Sequence, residues 1–95
     1  MRLDLFLKAS RLVLRRSLAQ EMCEAGVVLV NGMRAKSSRA VSIGDQITLR
    51  RPNRLLELRV HAIPLSRQTS RSEAPTLYEI LSDTEVADPL LRETN

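Results

Sequence analysis

The segment RRSLAQEMCEAGVVLVNGMRAK, Arg15 to Lys36, carries a helix start, a helix stop, an apolar run and an Asn-Gly pair within 22 residues. Ser17 is of the type that caps the first free amides of a helix, Gln20 three positions later completes a capping box, and Gly26 is suited to the left-handed residue that ends a helix. These signals predict a helix over roughly residues 18–25. Leu18, Met22 and Ala25 fall on one face of it, and the unbroken apolar run Val27–Val30 suits a strand covered by that face. Asn31-Gly32 predicts a tight hairpin, because such a turn needs two residues tolerant of positive φ, and a second strand is expected to return through Met33 to Lys36. The hairpin then brings its second strand back beside the helix entry. Arg15, Arg16, Arg34 and Lys36 are therefore expected on one side of a small rigid unit, with guanidinium forks that match phosphate oxygens bidentately and a lysine point charge.

Working outward, Leu3, Phe6 and Leu7 recur at helical spacing with Asp4 near the start, which predicts a first helix over residues 2–9 with Arg2 at its beginning. The intervening SRLVLRRS has no decisive periodicity. Beyond the hairpin, KSSRA reads as a polar loop and Ser42-Ile43-Gly44-Asp45 as a turn into the strand QITLR, with Ile47 and Leu49 inward and Thr48 and Arg50 outward. Pro52-Asn53 marks another turn, after which Leu56, Leu58, Val60 and Ala62 alternate with Glu57, Arg59 and His61 in a last strand. The expected fold is α+β: two short helices packed on a small, mainly antiparallel sheet with a β-hairpin, plus a short C-terminal tail. The folded domain is expected over 1–63. Residues 64–95 are expected to form a flexible linker and an acidic tail, with a short helix over 75–82 on the apolar stripe Leu77, Ile80, Leu81.

A chain of 95 residues makes one domain with a modest core and no large substrate pocket. Charge is unevenly spread: Met1–Val60 holds 12 Lys/Arg against 5 Asp/Glu, whereas His61–Asn95 holds 3 against 6, so a basic body that meets phosphate precedes an acidic end that does not. Phe6 and Tyr78 are the two aromatic residues, a scarcity that points away from base-stacking platforms and toward recognition of nucleic-acid backbone and shape. The lone Cys23 provides neither a disulfide framework nor a thiolate metal site and reads as a small packing residue. No long apolar run or cleavage pattern occurs at the N-terminus, and no segment is long enough to span a bilayer, so the expected location is the cytoplasm.

The order and spacing of RLDLFLKASRL, RRSLAQ, GVVLVNG, AK and VSIGD resemble the RNA-binding domain named after small-subunit ribosomal protein four, the S-four domain, over residues 1–62. With no catalytic domain following, the chain resembles the stand-alone members of that family, the heat-shock protein fifteen and RqcP group; its short tail containing TLYEIL is more similar to the RqcP side. The resemblance implies an L-shaped motif of two helices and a hairpin that binds large-subunit ribosomal RNA. It further implies contact with tRNA on an obstructed large subunit still holding peptidyl-tRNA, and support for an RqcH-like tailing factor, by a protein that is monomeric in isolation. A general heat-shock-type subunit recycling factor that binds ribosomal RNA is the alternative. By matching positions, Arg2 and Arg16 are implied as leading RNA contacts, with Arg11, Arg15, Arg34, Lys36 and Ser37 as further phosphate or ribose contacts and Asp4 either as an orienting group for a neighbouring arginine or as a contact to the RNA-side partner.

Other readings fit less well. A DNA-reading helix-turn-helix is disfavoured because SRLVLRR exceeds the usual three- or four-residue turn and the second helix lacks a set of base-reading side chains. Catalysis is disfavoured because no nucleophile–base pair, carboxylate pair, metal cluster or phosphate-binding glycine loop can be assembled, and no cofactor is implied. His61 has no partner group near it in sequence for metal or acid–base work; Asn31 and Gly32 read as turn residues, and Tyr78 as an anchor of the tail on the domain.

Overall fold

In a computed structural model that describes residues 1–85, the apolar spacing of Leu3, Phe6 and Leu7 winds Leu3–Ala9 into helix α1, and a second helix, α2, occupies Arg16–Glu24. Strands β1 (Val28–Val30), β2 (Met33–Arg34), β3 (Gln46–Arg51), β4 (Arg54–Val60) and β5 (Tyr78–Glu85) form one antiparallel sheet of order β2-β1-β3-β4-β5. The core lies between helices and sheet: Leu3, Phe6 and Leu7 of α1 meet Val28, Val30, Ile47, Leu49, Leu58 and Val60, all buried. Asn31 (φ 53) and Gly32 (φ 82) both take the left-handed backbone of the hairpin turn, with Val30 opposite Met33 and Leu29 opposite Arg34.

Four local expectations give way to tertiary forces. The start of α2 is Arg15, extended at φ −129 and ψ 139, so Ser17 sits inside the helix and caps nothing. Gln20 does not close a capping box; its amide donates instead to Asp4 at 2.9 Å. This sets the rotation of α2. Arg16, Ala19, Gln20 and Cys23, spaced i, i+3, i+4, i+7, turn inward, while Leu18 and Ala25 are left exposed. In β3, Thr48 is buried where an outward position was expected, because it lies on a central strand between Leu29 of β1 and Glu57 of β4. Strand β2 ends at Arg34, two residues short of Lys36: Ala35 turns into the core, and the chain leaves the sheet to run beside the start of α1.

The largest difference lies after Ile63. No helix forms over 75–82; a 3-10 turn, Ala74–Leu77, buries Ala74 and Leu77, and β5 then pairs along β4. The free edge of β4 offers a row of unpaired amides and carbonyls that an isolated helical turn could not satisfy, and the pairing sets Tyr78 opposite Val60 and Ile80 opposite Leu58. The sheet thus extends to Glu85 rather than closing near Ile63. The stretch expected to be a loose linker is also tied down: Pro64 is buried, Arg11 donates to the Thr69 carbonyl at 2.9 Å, and the Thr69 hydroxyl donates to the Ala9 carbonyl. Tyr78 packs against the core, as the anchoring reading expects, and beside it the His61 imidazole meets Glu79 at 2.7 Å. Of the acidic tail expected beyond the 75–82 helix, Asp83, Thr84 and Glu85 belong to β5 and pair with β4, and the rest, residues 86–95, lies outside the described residues.

Candidate RNA-binding surface

The surface is organised by a carboxylate with no exposed area. Asp4, in the first turn of α1, accepts from its neighbour's amide, Leu5 N, at 2.8 Å. Arg2 reaches it through Nε at 3.0 Å and Nη2 at 3.2 Å, Arg16 through Nε at 3.1 Å and Gln20 through Nε2 at 2.9 Å. Burial pushes the Asp4 carboxyl up, but the bonds from Gln20, Arg16, Arg2 and the Leu5 amide outweigh it and hold the group below the ordinary carboxylate value. Asp4 therefore stays ionised. It fixes two guanidiniums, one just before α1 and one at the start of α2, while their side chains remain about 40% exposed (42% for Arg2, 38% for Arg16). Arg16 bonds Asp4 through Nε alone, so among the described residues its two terminal nitrogens have no protein acceptor and are free to meet a phosphate.

Backbone bonds place the hairpin exit against this cluster. Asp4 N donates to the Ser37 carbonyl at 3.1 Å and Leu3 N to that of Arg39 at 2.8 Å, so Ser37 sits directly beside the arginine pair. Lys36 and Ser37 line an open groove of about 530 Å³ with Arg34 and the end of α2. Arg34 lies across Gly26 and donates to the Glu24 carbonyl at 3.3 Å. Exposed Arg15 at the start of α2 adjoins Arg16. Arg2, Arg15, Arg16, Lys36 and Ser37 are thus joined through Asp4 and the α2 start, and Arg34 shares the groove of Lys36. Arg34 and Lys36 do not alternate on one strand, since β2 stops between them.

Arg11 stands apart. It follows α1, has left-handed backbone at φ 61, and lines different cavities from those of Arg34 and Lys36. Gln20 was legible as a cap and not as a brace; the signal available was its i, i+4 spacing from Arg16. Arg51, which donates to the Leu12 carbonyl at 2.8 Å, was not singled out at all, because its partner is 39 residues away. Among the described residues no cluster of His, Cys, Asp and Glu is able to hold a metal ion, and no helix is long and apolar enough to cross a membrane.

A pair of short helices braced by one buried carboxylate, followed by a hairpin on an antiparallel sheet, defines a small S4-type protein, and residues 1–47 match the S4 domain. The chain is 40% identical over 88 residues to the RQC P-site tRNA stabilizing factor of Streptococcus pneumoniae, covering 93% of this chain and 98% of that one. The factor of the same name from Bacillus subtilis is also 40% identical, with 93% and 100% coverage. The solved structure of Vibrio cholerae heat shock protein 15 superimposes with a TM-score of 0.78 at 42% identity, over 86% of this chain and 82% of that chain. The chain belongs to the S4-domain family of RQC P-site tRNA stabilizing factors.

Proposed function

We propose that this protein is a non-catalytic RNA-binding factor of ribosome-associated quality control. It binds large-subunit ribosomal RNA and peptidyl-tRNA on obstructed large subunits in the cytoplasm and supports nascent-chain tailing by an RqcH-like partner. The observation that carries the reading is the Asp4 brace: a family whose relatives bear the name P-site tRNA stabilizing factor is here equipped with two guanidiniums held in advance beside Lys36 and Ser37. Fixing long side chains before binding removes much of the rotamer entropy that phosphate contact would otherwise cost, and a monomer with one such surface suffices. The protein's contribution is adhesion and positioning; no group on this surface is arranged for bond making.

Replacing both Arg2 and Arg16 by alanine is a poor test, because it strips a buried carboxylate of three of its five donated bonds. Arg16→Lys with Lys36→Ala is cleaner: the ammonium keeps the charge on Asp4, the fork is lost, and an exposed cation is removed. This variant is expected to melt like the parent and to lose co-sedimentation with large subunits carrying P-site peptidyl-tRNA. Unchanged co-sedimentation refutes the surface. The likeness to heat shock protein 15 favours a second reading, a general recycling factor for ribosomal subunits, and equal binding to subunits with and without tRNA selects it.

A further inference from the structure

A second set of cations gathers on Arg11. Besides Asn31 in the hairpin turn, it is the one non-glycine residue with positive φ among those described. Glycine or asparagine would adopt that backbone with less strain, and strained positions persist where the side chain is put to use. The side chain lies between two open cavities. One, of about 300 Å³, is bordered by Lys8, Arg67 and Gln68; the other, of about 350 Å³, by Arg51, Leu56, Tyr78 and Ile80.

The second cavity is the open end of the core layer. Leu49, Leu58 and Val60 are buried, and the next positions on the same strand faces are Arg51 and Leu56, with Ile80 and Tyr78 opposite Leu58 and Val60. Half-buried Tyr78 with Leu56 and Ile80 makes an apolar floor. Arg11 and Arg51 stand at its margin, each tethered by a backbone carbonyl, that of Thr69 and that of Leu12, so their direction is fixed and no carboxylate among the described residues pairs with their charge. Arg54 at the same cavity is bonded at Nε to Asp83 at 2.7 Å and closes one wall as a neutral pair.

We propose that this cavity takes one unpaired RNA nucleotide, its base on Leu56, Tyr78 and Ile80 and its phosphates on Arg11 and Arg51, with Lys8 and Arg67 beside the adjoining phosphates. An apolar floor ringed by tethered guanidiniums matches a splayed-out base and its backbone; a base held in a duplex cannot reach the floor. Residues 64–85 create the site by docking, since they supply Arg67, the Thr69 tether, Tyr78 and Ile80. The proposal rests on the preceding section for the class of ligand, and it uses none of the Arg2–Arg16–Lys36 surface.

Tyr78 is the sole tyrosine and the chain has no tryptophan, so intrinsic fluorescence of the full protein reports on this cavity. Titration with a single-stranded oligoadenylate is expected to quench it, and a blunt RNA duplex is expected to leave it unchanged. Arg11→Gly is expected to weaken the quenching interaction by about tenfold, the scale of losing one stacked and anchored nucleotide, and to melt no lower than the parent because glycine relieves the backbone. Lys8→Ala with Arg67→Ala gives a weaker loss without touching the turn, and Arg16→Lys with Lys36→Ala retains the full quench. Absence of quenching by oligoadenylate, quenching that Arg11→Gly leaves unchanged, or quenching abolished by Arg16→Lys with Lys36→Ala overturns the proposal. Each of these leaves the large-subunit reading to its own co-sedimentation test.

Discussion

Substituting Asp4 by asparagine removes one of two oxygens that together accept five donated hydrogen bonds. Oδ2 receives Arg2 Nη2, Arg16 Nε and Gln20 Nε2, while Oδ1 receives Leu5 N and Arg2 Nε. The better amide orientation keeps its oxygen toward the first three and points an NH2 donor at two other donors. Charge-assisted bonds contribute about 1.5–3 kcal/mol each, and breaking a buried pair costs about 3–5 kcal/mol. Because Arg2 and Arg16 are about 40% exposed (42% and 38%) and regain water, the lower part of that range applies, about 3 kcal/mol. At roughly 4–8 °C per kcal/mol for a domain of this size, the midpoint of a circular-dichroism melt at neutral pH falls by about 12–24 °C. The cost also depends on acid. A carboxyl held below its unfolded value contributes stability that is complete above about pH 3.9 and is lost as pH falls through the lower, folded value. The parent therefore weakens below about pH 4 by an amount that Asp4→Asn lacks, and the two melting curves converge there. A variant that melts within about 2 °C of the parent at neutral pH, a loss of about half a kcal/mol at most, would falsify the brace.

Gly26→Ala faces both a left-handed backbone at φ 77 and a Cβ only 2.6 Å from Arg34 Nε, whereas Gly32→Ala, at φ 82, meets open space. Each is expected to lose about 1 kcal/mol from backbone strain, but Gly26→Ala alone displaces Arg34 and weakens RNA binding; equal affinities would contradict this. Burial pushes the Cys23 thiol up and the Asp4 carboxylate adds to it, so a thiol reagent at pH 7–8 is expected to modify Cys23 at the rate of unfolding; fast labelling of the native protein counts against its burial. Leu77→Ala opens the core beneath the 3-10 turn and is expected to cost about 2–4 kcal/mol in denaturant unfolding, a loss that a detached tail would not produce.

Those experiments fall on features of unequal legibility. Local rules are strong where one or two residues settle a backbone choice. Asn31-Gly32 specified the hairpin, Gly26 the end of α2, and the spacing of Leu3, Phe6 and Leu7 the first helix. Arg2 and Arg16 were paired by matching family positions and not by a local rule; what holds them together is the Asp4 carboxylate that both bond. Alternation also placed Ile47 and Leu49 in the core, as found. Thr48 was misplaced because a period of two says which face a residue takes and not whether that face is open to water.

Local residues were enough for the Asn31-Gly32 hairpin, the turn before β3, the types of both helices and of β1, β3 and β4, and the basic character of the body, since each follows from contacts within a few residues. How distant groups compete for one another emerged only in the folded chain. The Asp4 carboxylate took Gln20 from its cap and turned α2, the open edge of β4 drew Tyr78–Glu85 into a strand against its helical spacing, and Arg11 and Arg51 found carbonyls 58 and 39 residues away. Propensity at a short tail or a helix end is worth a fraction of a kcal/mol per residue, while a ladder of backbone bonds or a buried ion is worth several, so the long-range partner prevails.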